Sequence, residues 1–207
     1  MTVEMLDATD AGQVVEVLAE SFRDYPVMRF VLRDSARYDA DLRHLVHLFA
    51  SARVLRREPM LGVRDAGGGL VGVAIMTLPA SGPPPEEFLA LREETWSRLG
   101  AAARQRYDAF GAAAGTLTRA EPHHHVNMIG VRPAAQGRGH ARALLEAAHA
   151  LAARDAASTG VSLSTEREGN LPLYARFGYQ VDGHVRVDDA LESWTLFRPS
   201  HQGDGHG

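Results

Sequence analysis

Two glycines near the middle of the chain, Gly137 and Gly139, have the spacing of a turn that lets the main chain approach an anion. They follow an apolar segment that stops at Pro133, and they precede a predicted helix that runs to about Arg154. Glycine permits close backbone approach, and a helix start presents N–H groups that have no partner within the helix. This combination favours a phosphate or pyrophosphate ligand. A plain strand-to-helix turn without a ligand is the alternative.

Two common kinds of phosphate site are excluded because their motifs are missing. A P-loop needs Gly-Lys-Ser/Thr at the helix start, and the sequence contains no such triplet. A dinucleotide fingerprint beginning at Gly137 would need glycine at position 142, where the chain has Arg142. The segment instead resembles the Gln/Arg-x-x-Gly-x-Gly/Ala signature of the GNAT acyltransferases, with Gln136, Gly139 and Ala141 at its fixed positions.

Further elements must position this turn, and hydrophobic periodicity predicts them along the chain. A first helix, capped by Thr9 or Asp10, is expected to end before Pro26, because proline disfavours a helical residue in front of it. The predicted strands cover residues 3–6, 61–64, 70–78, 123–132, 160–165, 179–187 and 193–198. The remaining predicted helices cover residues 36–57, 86–99, 101–116 and a short segment after Asn170, which is expected to cap it.

Composition excludes several classes of protein. The 207 residues are 45% hydrophobic, enough for a sizeable core, and the formal net charge of −4 gives no general attraction to nucleic acid or an anionic membrane. The absence of cysteine excludes disulfides, thiolate metal sites and a cysteine nucleophile. Neither a transmembrane run of about 18 apolar residues nor a signal peptide is recognisable. We therefore expect a cytoplasmic protein with no membrane or nucleic-acid partner.

Three consecutive histidines open the central strand and suggest a metal site. Strand alternation places His123 and His125 on one face and His124 on the other, so that the three cannot all bind one ion. The same alternation puts Val126 and Met128 on the face of His124. We expect no metal.

The C-terminal half strengthens the resemblance to the GNAT N-acetyltransferases. After the glycine turn come a helix, a strand and the segment Asn-Leu-Pro-Leu-Tyr-Ala-Arg-Phe-Gly-Tyr at residues 170–179, which is most similar to the puromycin N-acetyltransferase group. Two weaker similarities are Phe22-x-x-Tyr25-Pro26 and the sequence Met-Thr-Leu-Pro at residues 76–79. The resemblance is strong over about residues 123–198.

This resemblance implies an α/β fold with a mixed sheet of about six to seven strands flanked by helices. The strands ending near Val131 and Thr165 would splay apart, and the pantetheine arm of acetyl-CoA would lie in the gap. A single domain would span residues 1–199, with a helical insertion at about 86–118 and a disordered tail at 200–207. The implied cofactor contacts are Ile129, Gly130, Val131, Gln136, Gly137, Arg138, Gly139, His140, Ala141 and Asn170.

The resemblance also implies the catalytic groups. Tyr174 matches the tyrosine that protonates the departing thiolate, although a phenol with a pKa near 10 is a weaker acid than a thiol near 8.5. Ser164 stands where puromycin-type enzymes carry a glutamate base, and a hydroxyl alone cannot serve. The candidates for the base are His125, Glu166 or a water chain, and histidine has the better pKa for the task.

The predicted activity is acetyl-CoA-dependent acetylation of the primary amine of a small molecule, such as one related to an antibiotic or an aminonucleoside. Phe22, Tyr25 and Trp96 are the expected substrate-pocket residues, and aromatic side chains favour a small amphipathic ligand. Acetylation of a protein N-terminus or lysine, and a non-catalytic acyl-CoA-binding domain, are the alternatives. The protein would act as a monomer or homodimer.

Overall fold

The computed structural model describes residues 2–33, 35–189 and 191–200. Its centre is a seven-stranded sheet with the order β1-β2-β3-β4-β5-β7-β6, in which only β4 and β5 run parallel. The strands are β1 (Val3–Met5), β2 (Met60–Arg64), β3 (Leu70–Thr77), β4 (His124–Val131), β5 (Gly160–Thr165), β6 (Gln180–Val187) and β7 (Leu191–Pro199). The predicted mixed α/β sheet is confirmed.

Seven helices flank this sheet in the described part of the chain. They are α1 (Ala11–Phe22), α2 (Pro26–Leu32), α3 (Tyr38–Arg56), α4 (Glu86–Leu99), α5 (Ala101–Gly115), α6 (His140–Arg154) and α7 (Leu171–Ala175). Helices α1 to α3 pack on one face of the sheet together with parts of α4 and α5, and α6 packs on the other face. The buried positions of α6 are Leu144, Leu145, Ala148 and Ala152, a helical spacing that forms one apolar stripe.

Pro26 begins a helix that the sequence pattern did not predict. Tyr25 before it is extended, with ψ of 137°, as expected for a residue that precedes proline, but Pro26 itself occupies the first turn of α2. Proline fits there because an N–H in the first turn has no partner within the helix. Asp10 is the N-cap residue of α1, one of the two predicted, but its side chain makes no cap hydrogen bond to the helix; Asp7 caps a 3-10 turn over Ala8–Asp10 that leads into it.

Strand β4 contains a bulge that changes which side chains share a face. Ile75 of β3 pairs with Met128, whereas the next residue, Met76, pairs with Val126. Asn127 is therefore an extra residue, and the alternation reverses there. Val126 packs in the α6-side core and Met128 in the opposite core. The prediction that these two residues share a face was wrong for this reason.

The parallel strands β4 and β5 separate at the middle of the sheet. Their pairs are His124 with Val161, His125 with Ser162 and Val126 with Leu163, and the pairing stops there although both strands continue. Beyond these pairs, the edge of β4 that faces β5 has no strand partner. The splay expected near the ends of these strands is present.

The sequence also predicts a helical segment at about 86–118, a disordered tail at 200–207 and no transmembrane segment. Helices α4 and α5 lie between β3 and β4 and meet at Gly100; that they are an insertion stays a prediction. Of the tail expected to be disordered, Ser200 donates a hydrogen bond to the carbonyl of Thr159, and residues 201–207 lie outside the described part. Across the described residues, no helix has the length and apolar character needed to cross a membrane.

Candidate active site

A cavity of about 1070 Å³ lies at the splay between β4 and β5. Residues of the glycine turn and the start of α6 line one part of it, and side chains of α1, α3, α4 and α5 line another. Glu166, which follows β5, and Asn170 and Tyr174, at and within the start of α7, also line the cavity. One continuous space therefore joins the predicted phosphate site to the predicted catalytic and substrate residues.

The glycine turn has a backbone that requires glycine at two positions. Gly137 has φ of 76° and Gly139 has φ of 83°, both in the left-handed region that other residues avoid. Gly139 immediately precedes α6, whose first residue is His140. The space around both glycines is open, since a Cβ built on either would meet no atom within 4 Å. An exposed helix start with open space in front of it fits a pyrophosphate.

Gln136 has a structural role in this turn. Its side-chain Nε2 donates a 3.1 Å hydrogen bond to the carbonyl of Val131, which fixes the end of β4 against the turn. This bond engages the Val131 carbonyl, one of the main-chain groups expected to pair with the pantetheine arm. Ile129 and Gly130 also line the cavity. Residues 127–130 of β4 thus have no strand partner on the side that faces β5.

Gly130 is required by packing against α1. A Cβ at this position would lie 2.8 Å from Cβ of Ser21 and 3.2 Å from Leu18. Helix α1 thus approaches the β4 backbone closely beside the splay, and Ser21 also lines the cavity.

The arginines near the glycine turn differ from the prediction. Gly137, Gly139, His140 and Ala141 line the cavity, but Arg138 does not. Arg142 and Arg176 do line it, and the Arg142 guanidinium lies 5.5 Å from the ring centroid of Phe177. Arg142 lies in the first turn of α6, next to the glycine turn, and Arg176 lines the cavity from the end of α7.

Asn170 stabilises the end of β5. Its Nδ2 donates a 3.0 Å hydrogen bond to Oγ1 of Thr165. Asn170 is the N-cap residue of α7, as predicted, but its side chain makes no cap hydrogen bond to the helix. The Thr165 hydroxyl also shares a 2.9 Å hydrogen bond with the Tyr25 hydroxyl. The main-chain N–H of Glu166 donates to the same Tyr25 oxygen at 3.2 Å. Tyr25, Thr165 and Asn170 thereby hold the residues around Glu166.

Glu166 is a half-buried carboxyl group at the cavity wall. Burial raises its pKa from 4.5 to about 7, although hydrogen bonds from Ser193 and Tyr25 partly oppose this rise. The Ser193 hydroxyl donates to Oε1 at 2.7 Å. A carboxyl group with this pKa can accept a proton near neutral pH.

Tyr174 is buried at the cavity wall, with its ring edge-on to that of Tyr179 at 5.9 Å between centroids. Burial raises the pKa of its hydroxyl, with further contributions from Tyr25 and Glu166. The phenol is therefore protonated at all physiological pH values. It can donate a hydrogen bond, but complete proton transfer needs a partner that gains basicity during the reaction.

His125 lines the cavity on the strand before the bulge. Its Nδ1 shares a 2.7 Å hydrogen bond with the hydroxyl of the buried Ser162. Burial lowers its pKa to about 4, with smaller effects from His123 and Arg53. The argument that histidine has the better pKa for the base therefore fails here, because Glu166 lies nearer to neutrality. Ser164 also lines the cavity and lies opposite Thr195 of β7.

Two of the three expected pocket aromatics line the cavity. Phe22 and Tyr25 do so, with 4.8 Å between their ring centroids. Trp96 is only 4% exposed and packs behind the wall against Tyr107, whose own ring lines the cavity. Further rings in the wall are Phe49, Phe88 and Phe110. Sequence periodicity could not separate the wall-forming Tyr107 from the supporting Trp96.

A buried ionic cluster at the cavity wall had no sequence signal. Arg53 of α3 lines the cavity, and its Nη1 lies 2.9 Å from the Glu58 carboxylate. The same nitrogen donates to Oδ1 of Asn127 at 2.9 Å, so the cluster bridges α3 and the β4 bulge. Burial lowers the pKa of Arg53, and Glu58 opposes this effect.

The histidines of β4 form separate contacts. His124 is buried and its Nδ1 shares a 3.0 Å hydrogen bond with Ser158, whereas Nδ1 of His123 contacts the carbonyl of Glu121 at 2.7 Å. Within residues 2–33, 35–189 and 191–200, no group of three or more histidine and acidic side chains could hold a metal ion.

Comparison with protein families supports the resemblance seen in the sequence. Residues 92–181 match the sequence model of the acetyltransferase (GNAT) domain. This segment includes the glycine turn, Glu166, Asn170 and Tyr174. This match, which covers less than half of the chain, and the fold together support an acetyl-CoA-dependent acyltransferase.

Solved structures share this fold over nearly the whole chain. A Corynebacterium glutamicum protein described as histone acetyltransferase HPA2 and related acetyltransferase is 23% identical, with a TM-score of 0.70 and 96% of each chain covered. The Drosophila melanogaster polyamine N-acetyltransferase, which forms N-acetylagmatine, is 19% identical, with a TM-score of 0.59 and coverage of 95% of this chain and 97% of that one. Arylalkylamine N-acetyltransferase 2 from Aedes aegypti is 12% identical, with a TM-score of 0.65 and coverage of 96% and 98%.

Proposed function

We propose that the protein transfers an acetyl group from acetyl-CoA to the primary amine of a small molecule, with Glu166 as the general base. The observation that carries this proposal is the half-buried Glu166 carboxyl group, in the same cavity as Tyr174 and the glycine turn. Its pKa of about 7 suits a group that must take a proton from an amine near neutral pH. The acetylation of small amines by structural neighbours supports this choice of acceptor.

The cofactor would occupy the turn and the splay. The N–H groups from Gly137 to Ala141 would hold the pyrophosphate, Arg142 and Arg176 would face its phosphates, and the free edge of β4 would pair with the pantetheine arm. When bound, acetyl-CoA supplies a thioester that is reactive towards a neutral amine. Main-chain N–H groups of the β4 edge provide donors of the kind that stabilise negative charge on a carbonyl oxygen.

The proton movements are assigned to two side chains. Glu166 accepts a proton from the nitrogen of the acceptor, because an ammonium group cannot attack a carbonyl carbon. Tyr174 donates its hydroxyl hydrogen towards the departing sulfur, whose basicity rises as the carbon–sulfur bond breaks. His125, neutral at pH 7 because of its low pKa, lines the same cavity and remains the second candidate for the base.

The walls of the cavity also help to distinguish a small-molecule acceptor from a peptide acceptor. Rings of α4 and α5, including Phe88, Tyr107 and Phe110, form part of its wall. This enclosure favours a small acceptor over an extended peptide. The puromycin-type resemblance remains a prediction, since Ser164 replaces the expected glutamate and the carboxyl group is supplied two residues later.

The direct test is thiol release from acetyl-CoA in the presence of a panel of primary amines and, separately, of peptides. We expect release with small amines and mass-spectrometric detection of the N-acetyl product. Release only with peptides would favour the protein-acetylating alternative. Cofactor binding without any release would favour a non-catalytic acyl-CoA-binding domain.

A further inference from the structure

The substrate side of the cavity is mostly aromatic. Phe22 and Tyr25 contribute rings from α1 and the residues that follow it, and Phe49 comes from α3. Phe49 stacks on Tyr107 of α5 with 5.9 Å between centroids and 27° between planes. Phe88 and Phe110 complete the set. Such a wall gains free energy by contact with an apolar or aromatic body.

Negative charge on the cavity wall is confined to one group. Among the described residues that line the cavity, Glu166 carries the sole carboxylate, and it is the proposed base. Asp and Glu side chains are thus missing from the described lining on α1, α3, α4 and α5. Glu58 is buried beside Arg53 but does not line the cavity.

The other charged groups near the aromatic rings of the cavity are cations. Arg167 lines the cavity, and its guanidinium lies 5.2 Å from the ring centroid of Tyr25. Arg53 lines the cavity with 12% of its side chain exposed, and its Nε atom has no hydrogen-bond partner among the described residues. A second ammonium group on the acceptor would meet aromatic rings and Arg53 instead of a carboxylate. Transfer of such a charge from water without a counter-ion is unfavourable.

From this distribution we infer that the acceptor is a monoamine with an apolar or aromatic body, and that diamines, polyamines and guanidinoamines are selected against. This inference rests on the proposed function, because it takes Glu166 as the group that meets the reacting amine. Cation–π contact with the rings gives a second cation some stabilisation, but such contacts are weaker than a buried charge pair. The missing second carboxylate is therefore the specificity-determining feature.

Binding can be measured independently of turnover. Calorimetry with the protein saturated with CoA would compare tryptamine with putrescine, spermidine and agmatine. We expect tryptamine to bind with a Kd at least about tenfold lower than any of the other three, because these each carry a second cationic group. Equal or tighter binding of putrescine or spermidine, or no binding of tryptamine, would overturn the inference. Tight tryptamine binding without thiol release would instead refute the proposed function alone.

A variant pair tests the role of charge. Ala114 of α5 lines the cavity and is half-buried, so a small polar side chain is tolerable there. Ala114→Asp should narrow the ratio of putrescine Kd to tryptamine Kd by about fivefold, the scale of a partly solvated ion pair. Ala114→Asn, which adds nearly the same volume without charge, should leave the ratio within about twofold. Equal ratios in a folded Asp variant and the Asn variant would contradict the charge argument.

Discussion

The Ser193 hydroxyl donates a 2.7 Å hydrogen bond to Oε1 of Glu166, which joins the end of β5 to the start of β7 beside the splay. Ser193 is 1% exposed, so this contact is shielded from water. Burial raises the pKa of Glu166 to about 7 even though this bond and one from Tyr25 favour the carboxylate. The carboxyl group is thereby held in one position while its protonation changes near neutral pH.

The pH dependence of catalysis should follow Glu166. We expect kcat/KM to rise with pH and level off above an apparent pKa of about 7, since the ionised carboxylate is the active form. Glu166→Gln should lower kcat by about 10²- to 10⁴-fold and remove this limb. The measurement is steady-state thiol release between pH 5 and 9.

His125→Ala is the control for this assignment. Because burial lowers the pKa of His125 to about 4, its removal should leave a limb near pH 7 in place. Loss of that limb in His125→Ala, with the limb retained in Glu166→Gln, would transfer the role of base to His125.

Ionisation of Glu166 should lower the free energy of unfolding at high pH. The pKa of Glu166 is about 7 in the folded protein and near 4.5 when exposed, so ionisation is easier in the unfolded state. The folded protein therefore loses stability as pH rises from about 4.5 to 7, by up to about 3 kcal/mol at higher pH. Glu166→Gln carries no such charge. In urea unfolding, we expect the variant to be more stable than the wild type at pH 8 and about equal at pH 4. The same difference at both pH values would contradict the shifted pKa.

The sequence predicts the structure well where neighbouring residues constrain the backbone. It fails where the structure depends on contacts between residues that are far apart in the chain. The glycine turn and the strand, helix and strand order around it were predictable, because Gly137, Gly139 and Pro133 constrain the backbone locally. The bulge at Asn127 was not, since it depends on the register between β3 and β4. Pro26 was ambiguous, because proline can either follow one helix or start the next.

The candidate site shows the same division. Tyr174 and Asn170 were found through a motif, and Glu166 was named as a candidate for the base. The choice of Glu166 over His125 as the base depends on how deeply each group is buried, and the sequence does not give that information. Arg53 was missed because its contacts with Glu58 and Asn127 depend on how α3 packs against β4.

The left-handed glycine at the start of α6 should be essential for cofactor binding. Gly139→Ala must either adopt the strained φ of 83° or shift the turn, at a cost of about 1–2 kcal/mol. We expect the Kd for acetyl-CoA to rise by about tenfold in calorimetry, because the N–H groups would no longer converge on the pyrophosphate. Gly12→Ala is the matched control, since Gly12 also has open space around it but no positive φ. Unchanged affinity in a folded Gly139→Ala variant would remove the turn from the cofactor site.

Tyr174→Phe tests whether the hydroxyl takes part in the reaction or the ring merely packs. The substitution keeps the ring, which lies edge-on to Tyr179, so stability should change little. If the hydroxyl donates to the departing sulfur, kcat should fall by about 10²-fold. The Kd for acetyl-CoA should stay within about threefold, because the lost interaction strengthens only in the transition state.

Tyr179→Phe provides the comparison for this experiment. Its hydroxyl shares a 3.0 Å hydrogen bond with Nε2 of His149, and Tyr179 does not line the cavity. Loss of this hydroxyl should affect stability more than kcat. Rapid thiol-release assays and urea unfolding of both variants separate the two effects. Wild-type kcat in Tyr174→Phe would show that the hydroxyl is not the acid, and an equal loss of kcat in both variants would indicate a general disturbance of the site and not the loss of an acid.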